Sequence, residues 1–202
     1  MGKVISIINM KGGVGKTTLS IGIADYLSEI GKKILLIDAD PQFNATQAML
    51  DCYKKEDDDS EENFYNTEIL SQEKTIYRLF KLQTSMSQAY QMPEADDLII
   101  NLKENLDILC GDLNLVLVNT SSDYTLIRRI RNFIEDNLLK NKYDYIIIDC
   151  PPTLTIYTDS ALMASDCYLI PNRIDKYSIV GIDSLQQAVG NLIQARNSAS
   201  RW

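Results

Sequence analysis

The sequence predicts an α/β fold with a mostly parallel sheet. Short apolar runs (VISII, KILLID and YIIID) alternate with stretches of helical periodicity. The second and third runs end in aspartate, and a glycine-rich segment, NMKGGVGKTT, separates the first run from the first helix. Strands that alternate with helices are joined by crossovers and so run parallel. Ligands of such sheets sit beyond the carboxyl ends of the strands. The glycine-rich segment, Asp38, Asp40 and Asp149 all fall there.

The elements follow in order. Residues 4–8 are apolar and are closed by Asn9, the pattern of a short buried strand. Over residues 17–30, Leu19, Ile23, Leu27 and Ile30 recur at helical spacing, and Gly31 supplies a C-terminal cap. Residues 33–38 form a second strand, and Asp40–Pro41 turns the chain, which completes a βαβ unit. The segment KKEDDDSEENFYN (54–66) is charged and poor in core residues, and is expected to be a solvated insert. Residues 75–82 return to helix. Residues 98–100 and 106–110 are short strands around a polar turn. Over residues 123–139, Leu126, Ile127, Ile130, Phe133, Ile134 and Leu138 form one apolar stripe of an amphipathic helix. Residues 145–149 are a strand, residues 167–170 another ending at Pro171, and a last helix runs from about 178 to 195.

A chain of 202 residues without repeats or an evident linker fits a single domain. Its formal net charge of −8 provides no broad basic field for nucleic acid or anionic lipid, so any DNA contact needs a local patch. Arg128, Arg129 and Arg131 are the obvious basic cluster, and a solvated helix face is their simpler reading. The chain has no histidine, which excludes imidazole acid–base chemistry and histidine-ligated metals. Cys52, Cys110, Cys150 and Cys167 form no C-x-x-C pair. With no signal peptide at the start and no apolar run long enough for a bilayer, a cytoplasmic location is expected.

The glycine-rich segment carries the chemistry. Gly15, Lys16 and Thr17 supply the second half of a phosphate loop, G-x-x-x-x-G-K-[ST], but Met10 stands where its first glycine belongs. An additional lysine, Lys11, precedes Gly12 and Gly13. Glycines let successive N–H groups turn toward one oxyanion, and the following helix adds its positive end. Lys16 would reach β- and γ-phosphates and the Thr17 hydroxyl would meet Mg²⁺. Asp38 and Asp40 leave one strand together, and Asp149 ends another in the Walker B manner, placing three acids near that loop.

KGGVGKTT, DADPQ, YDYIIIDCPP and PNRIDKYSIVGIDSL together resemble the ParA/MinD family of deviant Walker P-loop ATPases, most of all its ParA/Soj branch, from residue 4 to about 192. The resemblance implies a P-loop NTPase three-layer sandwich, a mostly parallel twisted sheet with helices on both faces. It implies ATP/ADP and Mg²⁺ as ligands. The loop Gly12, Gly13, Val14, Gly15, Lys16, Thr17 and Thr18 would hold the nucleotide, with Thr18 near the α-phosphate. Lys11 matches the signature lysine that crosses an ATP-sandwich homodimer to the partner's phosphates. Asp40 matches the water-activating acid, while Thr17, Asp38 and Asp149 match the magnesium shell. The implied activity is weak ATP hydrolysis stimulated by non-specific DNA and a centromere-binding ParB-like protein. The implied role is a dimerisation switch in plasmid or chromosome partitioning.

A nucleotide-binding scaffold with little hydrolysis is the alternative, as is a MinD-like positioning ATPase. The polar tail NLIQARNSASRW argues against the membrane helix of that branch. Family members continue past the helix after PNRIDKYSIVGIDSL into a further strand and segments that grip the base and DNA. RNSASRW offers no such strand. The phosphate half of the site is therefore expected intact and the base half incomplete. An open sheet edge, weak ATP/GTP discrimination and weaker DNA binding would follow.

Overall fold

The computed structural model describes residues 1–54, 63–81, 91–118 and 124–172, with isolated positions 187 and 190. A six-stranded sheet runs through it in the order β3-β4-β2-β5-β1-β6. β1 (Lys3–Ile7), β2 (Ile34–Asp38), β4 (Leu106–Leu109), β5 (Tyr145–Asp149) and β6 (Cys167–Leu169) are parallel, and β3 (Ile100–Lys103) pairs antiparallel with β4. Only the β3–β4 pair is joined by a tight turn, with Asn105 in the left-handed region that asparagine tolerates.

Successive strand residues point to opposite faces, and each face has its own core. Ile34 and Leu36 of β2 and Ile147 of β5 pack with Ala24, Met49, Leu50 and Ile69 on one side. Leu35, Ile37, Ile146 and Ile148 pack with Phe80, Ile130, Phe133 and Ala161 on the other. The helices therefore flank the sheet on both faces. α1 (Lys16–Glu29), α2 (Asn44–Tyr53) and a π-helical segment (Tyr65–Leu70) serve the first core. α3 (Tyr77–Phe80), α4 (Ala95–Leu98), α5 (Leu115–Val118), α6 (Arg129–Asp136), α7 (Leu139–Lys142) and α8 (Ile156–Ala164) serve the second. This is the expected three-layer α/β sandwich.

Several elements differ from the sequence expectation, each for a local reason. In α1 the buried line is Ser20, Ala24 and Ser28, while Leu19, Ile23 and Leu27 are half-buried at its flank and Ile30 is exposed. Small side chains let the helix lie close to the strands, and the larger ones pack around the contact. Gly31 caps α1 as expected: its N–H reaches Ser28 O and that of Lys32 reaches Leu27 O, the paired bonds of a left-handed glycine stop.

The segment 54–66 is not solvated throughout. Residues 55–62 lie outside the described residues, but Tyr65 is buried, stacks on Phe43 at 5.0 Å between ring centroids and donates its hydroxyl to Gly111 O. The helix expected over 75–82 is the single turn Tyr77–Phe80, because Thr75 instead bridges Cys110 and donates its hydroxyl to Asp112. The helix expected over 123–139 is a 3-10 turn (Tyr124–Arg128) followed by α6, and it breaks at Leu138, which adopts positive φ. Leu138 is exposed and Leu139 takes the core position instead. The helix expected over 178–195 lies outside the described residues apart from positions 187 and 190.

Candidate functional site

The glycine-rich loop leaves β1 at the carboxyl end of the sheet and runs directly into α1. β1 lies between β5 and β6 there, so the loop opens at the point where the chain order of the strands reverses. Asn9 organises its start: the side-chain amide donates to Pro171 O at 2.8 Å, and its oxygen accepts the Lys11 N–H at 2.9 Å. Gly13 (φ 70°) and Gly15 (φ 87°) take up left-handed backbone, which an L side chain would strain. A Cβ on Gly12, Gly13 or Gly15 would meet no atom within 4 Å, so at Gly13 and Gly15 the backbone conformation rather than crowding calls for glycine.

Lys16 is nearly buried at the first turn of α1, and its Nζ donates to Lys11 O at 3.3 Å. Burial lowers its pKa, while Asp149 and Asp40 pull it back up. The loop thus folds over one lysine, and the carbonyl of the other lysine holds it. Sequence pattern does not reveal that contact, since it depends on the closure of the loop.

The three acids converge as expected. Asp38 and Asp149 are register partners at the ends of neighbouring strands β2 and β5, and both are buried. Asp149 Oδ1 accepts the Ser20 hydroxyl at 2.8 Å, and the Thr17 hydroxyl beside the same carboxyl helps hold its pKa down. Asp149 Oδ2 is buried with no hydrogen-bond partner among the described residues. A buried orphan acceptor is costly unless a ligand completes it. Asp40 lies at the margin of the cluster with its Oδ1 accepting the Gln42 N–H. Asp38 is satisfied by protein: Oδ2 accepts both the N–H and the hydroxyl of Thr46 at 2.8 Å, and Oδ1 accepts the Asp40 N–H at 3.2 Å.

No three Asp, Glu or Cys side chains among the described residues form a self-sufficient metal cage. Mg²⁺ takes one or two protein oxygens and fills its octahedron with water and substrate phosphate. The hard-oxygen set of Thr17 and Asp149, with the unpartnered Oδ2, fits such an ion. Ser20, Thr46 and Asn9 are the site residues that sequence reasoning missed. All are uncharged, and their partners lie across the fold or across a turn.

Two clustered carboxylates also shape the pH response. Burial lifts Asp38 to about 7, helped by the neighbouring Asp149 and opposed by the Thr46 and Asp40 bonds. Burial lifts Asp149 to about 6, against the Thr17 and Ser20 bonds. Both values lie above the ordinary 3.8. The folded state therefore binds more protons than the unfolded state between about 4 and 7, and the stabilising contribution of these groups is lost as pH rises through that window. Asp38→Asn removes this titration, so the stability gap between variant and wild type is expected to move in the variant's favour by on the order of 2 kcal/mol from pH 5 to pH 8. Urea denaturation of both proteins at the two pH values checks this, and a gap independent of pH refutes it.

Comparison with known proteins agrees with this geometry. The sequence matches the AAA domain family (AAA_31) over residues 2–201. It is 36% identical over 189 residues to the sporulation initiation inhibitor protein Soj of Bacillus subtilis, covering 94% of this chain and 65% of that protein. It is 29% identical to the chromosome partitioning protein ParA of Caulobacter vibrioides, covering 93% of this chain and 62% of the relative. The chain thus spans less than two thirds of the length of either. Among solved structures, a plasmid partition protein of Borrelia burgdorferi superposes with a TM-score of 0.76 at 28% identity, over 95% of this chain and 75% of the other. A second Borrelia burgdorferi plasmid partition protein, bound to AMPPNP, superposes with a TM-score of 0.76 at 30% identity, over 95% and 70% of the two chains. With its phosphate loop, its second lysine and its three convergent acids, the chain belongs to the ParA/MinD family of deviant Walker P-loop ATPases, on the ParA/Soj side of it.

Proposed function

We propose that this chain binds ATP with Mg²⁺ at the carboxyl ends of β1, β2 and β5 and acts as an ATP-dependent dimerisation switch in plasmid or chromosome partitioning. The observation that carries the reading is a phosphate loop with two lysines set against an acid cluster that keeps one buried oxygen unpartnered. Relatives named for chromosome and plasmid partitioning support the biological role.

In this reading the N–H groups of Gly12 to Thr18 surround the phosphates, and Lys16 Nζ exchanges its bond with Lys11 O for the β- and γ-phosphate oxygens. Thr17 and Asp149 would hold Mg²⁺ with Asp38 in its outer shell, and the ion would offset charge on the β- and γ-phosphates. Asp40 accepts a hydrogen bond from the attacking water and lines it up with the γ-phosphorus. Lys11 of one subunit reaches the phosphates held by the other. A cation supplied in trans removes the repulsion between two nucleotide-loaded faces and stabilises charge that develops during transfer. The subunits would then close only around ATP. The dimer would bind DNA without sequence preference, and a ParB-like protein would speed hydrolysis.

Gel filtration with light scattering tests the switch. The wild type is expected to be monomeric alone and dimeric with ATP and Mg²⁺, while Lys11→Ala should bind nucleotide and stay monomeric. A variant that dimerises as the wild type does would sink the role given to Lys11.

A further inference from the structure

We propose that Thr46 is a positioning residue of the nucleotide site: it fixes the direction of the Asp38 carboxylate and ties it to the loop after β4. The inference rests on the reading of this site as one for ATP and Mg²⁺.

Asp38 ends β2, and Thr46 lies in the first turn of α2, beyond the Asp40–Phe43 turn. The first N–H groups of a helix have no partner within it. A side chain at the N-cap usually supplies one, but Phe43 holds that position in α2, with φ 40° and no side-chain cap bond. Asp38 takes over the task from the strand. Its Oδ2 accepts the Thr46 N–H at the positive end of the helix, and accepts the Thr46 hydroxyl as well. Both bonds are 2.8 Å long and wholly buried. They occupy Oδ2 and leave Oδ1, which accepts only the Asp40 N–H at 3.2 Å, as the oxygen available to the magnesium shell.

The Thr46 hydroxyl also works in the other direction. It accepts the Gly111 N–H at 2.8 Å, and Gly111 O accepts the Tyr65 hydroxyl at 2.9 Å. Gly111 approaches so closely that a Cβ there would lie 2.7 Å from Phe43 Cβ and 3.0 Å from Asp38 Cγ. The carboxylate is therefore clamped between two donors of Thr46 and the backbone of Gly111. A single hydroxyl closes the clamp, because it donates to one side and accepts from the other. Outer partners that orient a metal-facing group typically contribute ten- to hundredfold in metal affinity or activity.

The test follows the Mg²⁺ dependence of binding of a fluorescent ATP analogue, which needs no turnover. Thr46→Val keeps the backbone donor and the side-chain shape and deletes the hydroxyl. The Mg²⁺ concentration needed for half-maximal enhancement is expected to rise by about ten- to hundredfold, with affinity in the absence of Mg²⁺ unchanged. Thr46→Ser should restore the wild-type requirement. In an Asp38→Asn background, Thr46→Val should add nothing, as two members of one unit are non-additive. If Thr46→Val lowers Tm but leaves the Mg²⁺ requirement at the wild-type value, the hydroxyl is a structural tie only and the proposal falls. Should that variant not fold, Gly111→Ala displaces the same carboxylate from the opposite side. It must raise the requirement too, and an unchanged requirement overturns the proposal. A wild type whose nucleotide affinity ignores Mg²⁺ overturns the reading of the site itself, and this inference with it.

Discussion

Lys16→Ala is expected to lower Mg²⁺-dependent ATP turnover by roughly two to three orders of magnitude, the usual cost of losing one preorganised donor to developing charge. The structure gives three reasons for an effect of that size. Lys16 is held nearly buried by its own loop, so its cation acts in a medium where electrostatic interactions are strong. It starts α1, so the helix N-terminus and the ammonium group address the same oxyanion. It also offsets Asp149 and Asp40, both of which raise its pKa. Without it those acids face the phosphates uncompensated, and nucleotide affinity should fall together with turnover. Equilibrium binding and steady-state hydrolysis on the same preparation separate the two losses. A Lys16→Ala protein that turns over ATP at the wild-type rate would disprove the phosphate assignment of the whole loop.

The largest loss of stability is expected at the sheet centre. Ile147 lies in β5, opposite Ile5 of β1 and Leu36 of β2, and is fully buried. Its side chain packs with Ala24, Met49 and Ile69 on the face that α1 and α2 cover. Truncation to alanine leaves a cavity between strands held in register on both sides, and such a site collapses poorly. Ile147→Ala should cost about 2–5 kcal/mol, read as a lower urea midpoint at unchanged m-value. Leu169 offers the contrast, since it is partly exposed on β6, one of the two edge strands among the described residues. Leu169→Ala should stay within about 0.5 kcal/mol, as surface substitutions do. Equal losses at the two positions would contradict the placement of the core.

The parts of the fold read correctly from sequence are those dictated by local pattern. β1, β2 and β5 are short, largely apolar runs, and Gly31 is the stop its left-handed geometry requires. The convergence of Asp38, Asp40 and Asp149 follows from strand ends sharing one edge of a parallel sheet. What sequence missed depends on tertiary competition. The apolar periodicity through Leu138 continues past the true end of α6, and only the better burial of Leu139 breaks it. Tyr65 is hidden by the acidic composition just before it, although its ring and hydroxyl both find partners in the core. Thr46 and Ser20 carry no charge and belong to no phosphate-loop signature. Their contribution exists only once β2, α2 and β5 have come together. The buried face of α1 was misjudged for a related reason: closeness to the sheet favours Ser20, Ala24 and Ser28 over the larger residues beside them.

That close fit of α1 divides the phosphate loop mechanically. A helix seated through serine and alanine has no side-chain slack in which to slide, and Ser20 pins it further, its one hydroxyl proton shared between Asp149 Oδ1 and Lys16 O. α1 is a fixed strut, and Lys16 stands on it. Any tightening of the loop around a nucleotide has to pivot ahead of the helix, at Gly13 and Gly15, where the backbone is already left-handed. Lys11 lies beyond that pivot. In the proposed nucleotide complex Lys16 would be the stationary lysine, meeting the phosphates of its own subunit. Lys11, tied by its N–H to Asn9 and by its carbonyl to Lys16, stands ahead of the pivot, and in the proposed dimer it is the lysine that would face the second subunit.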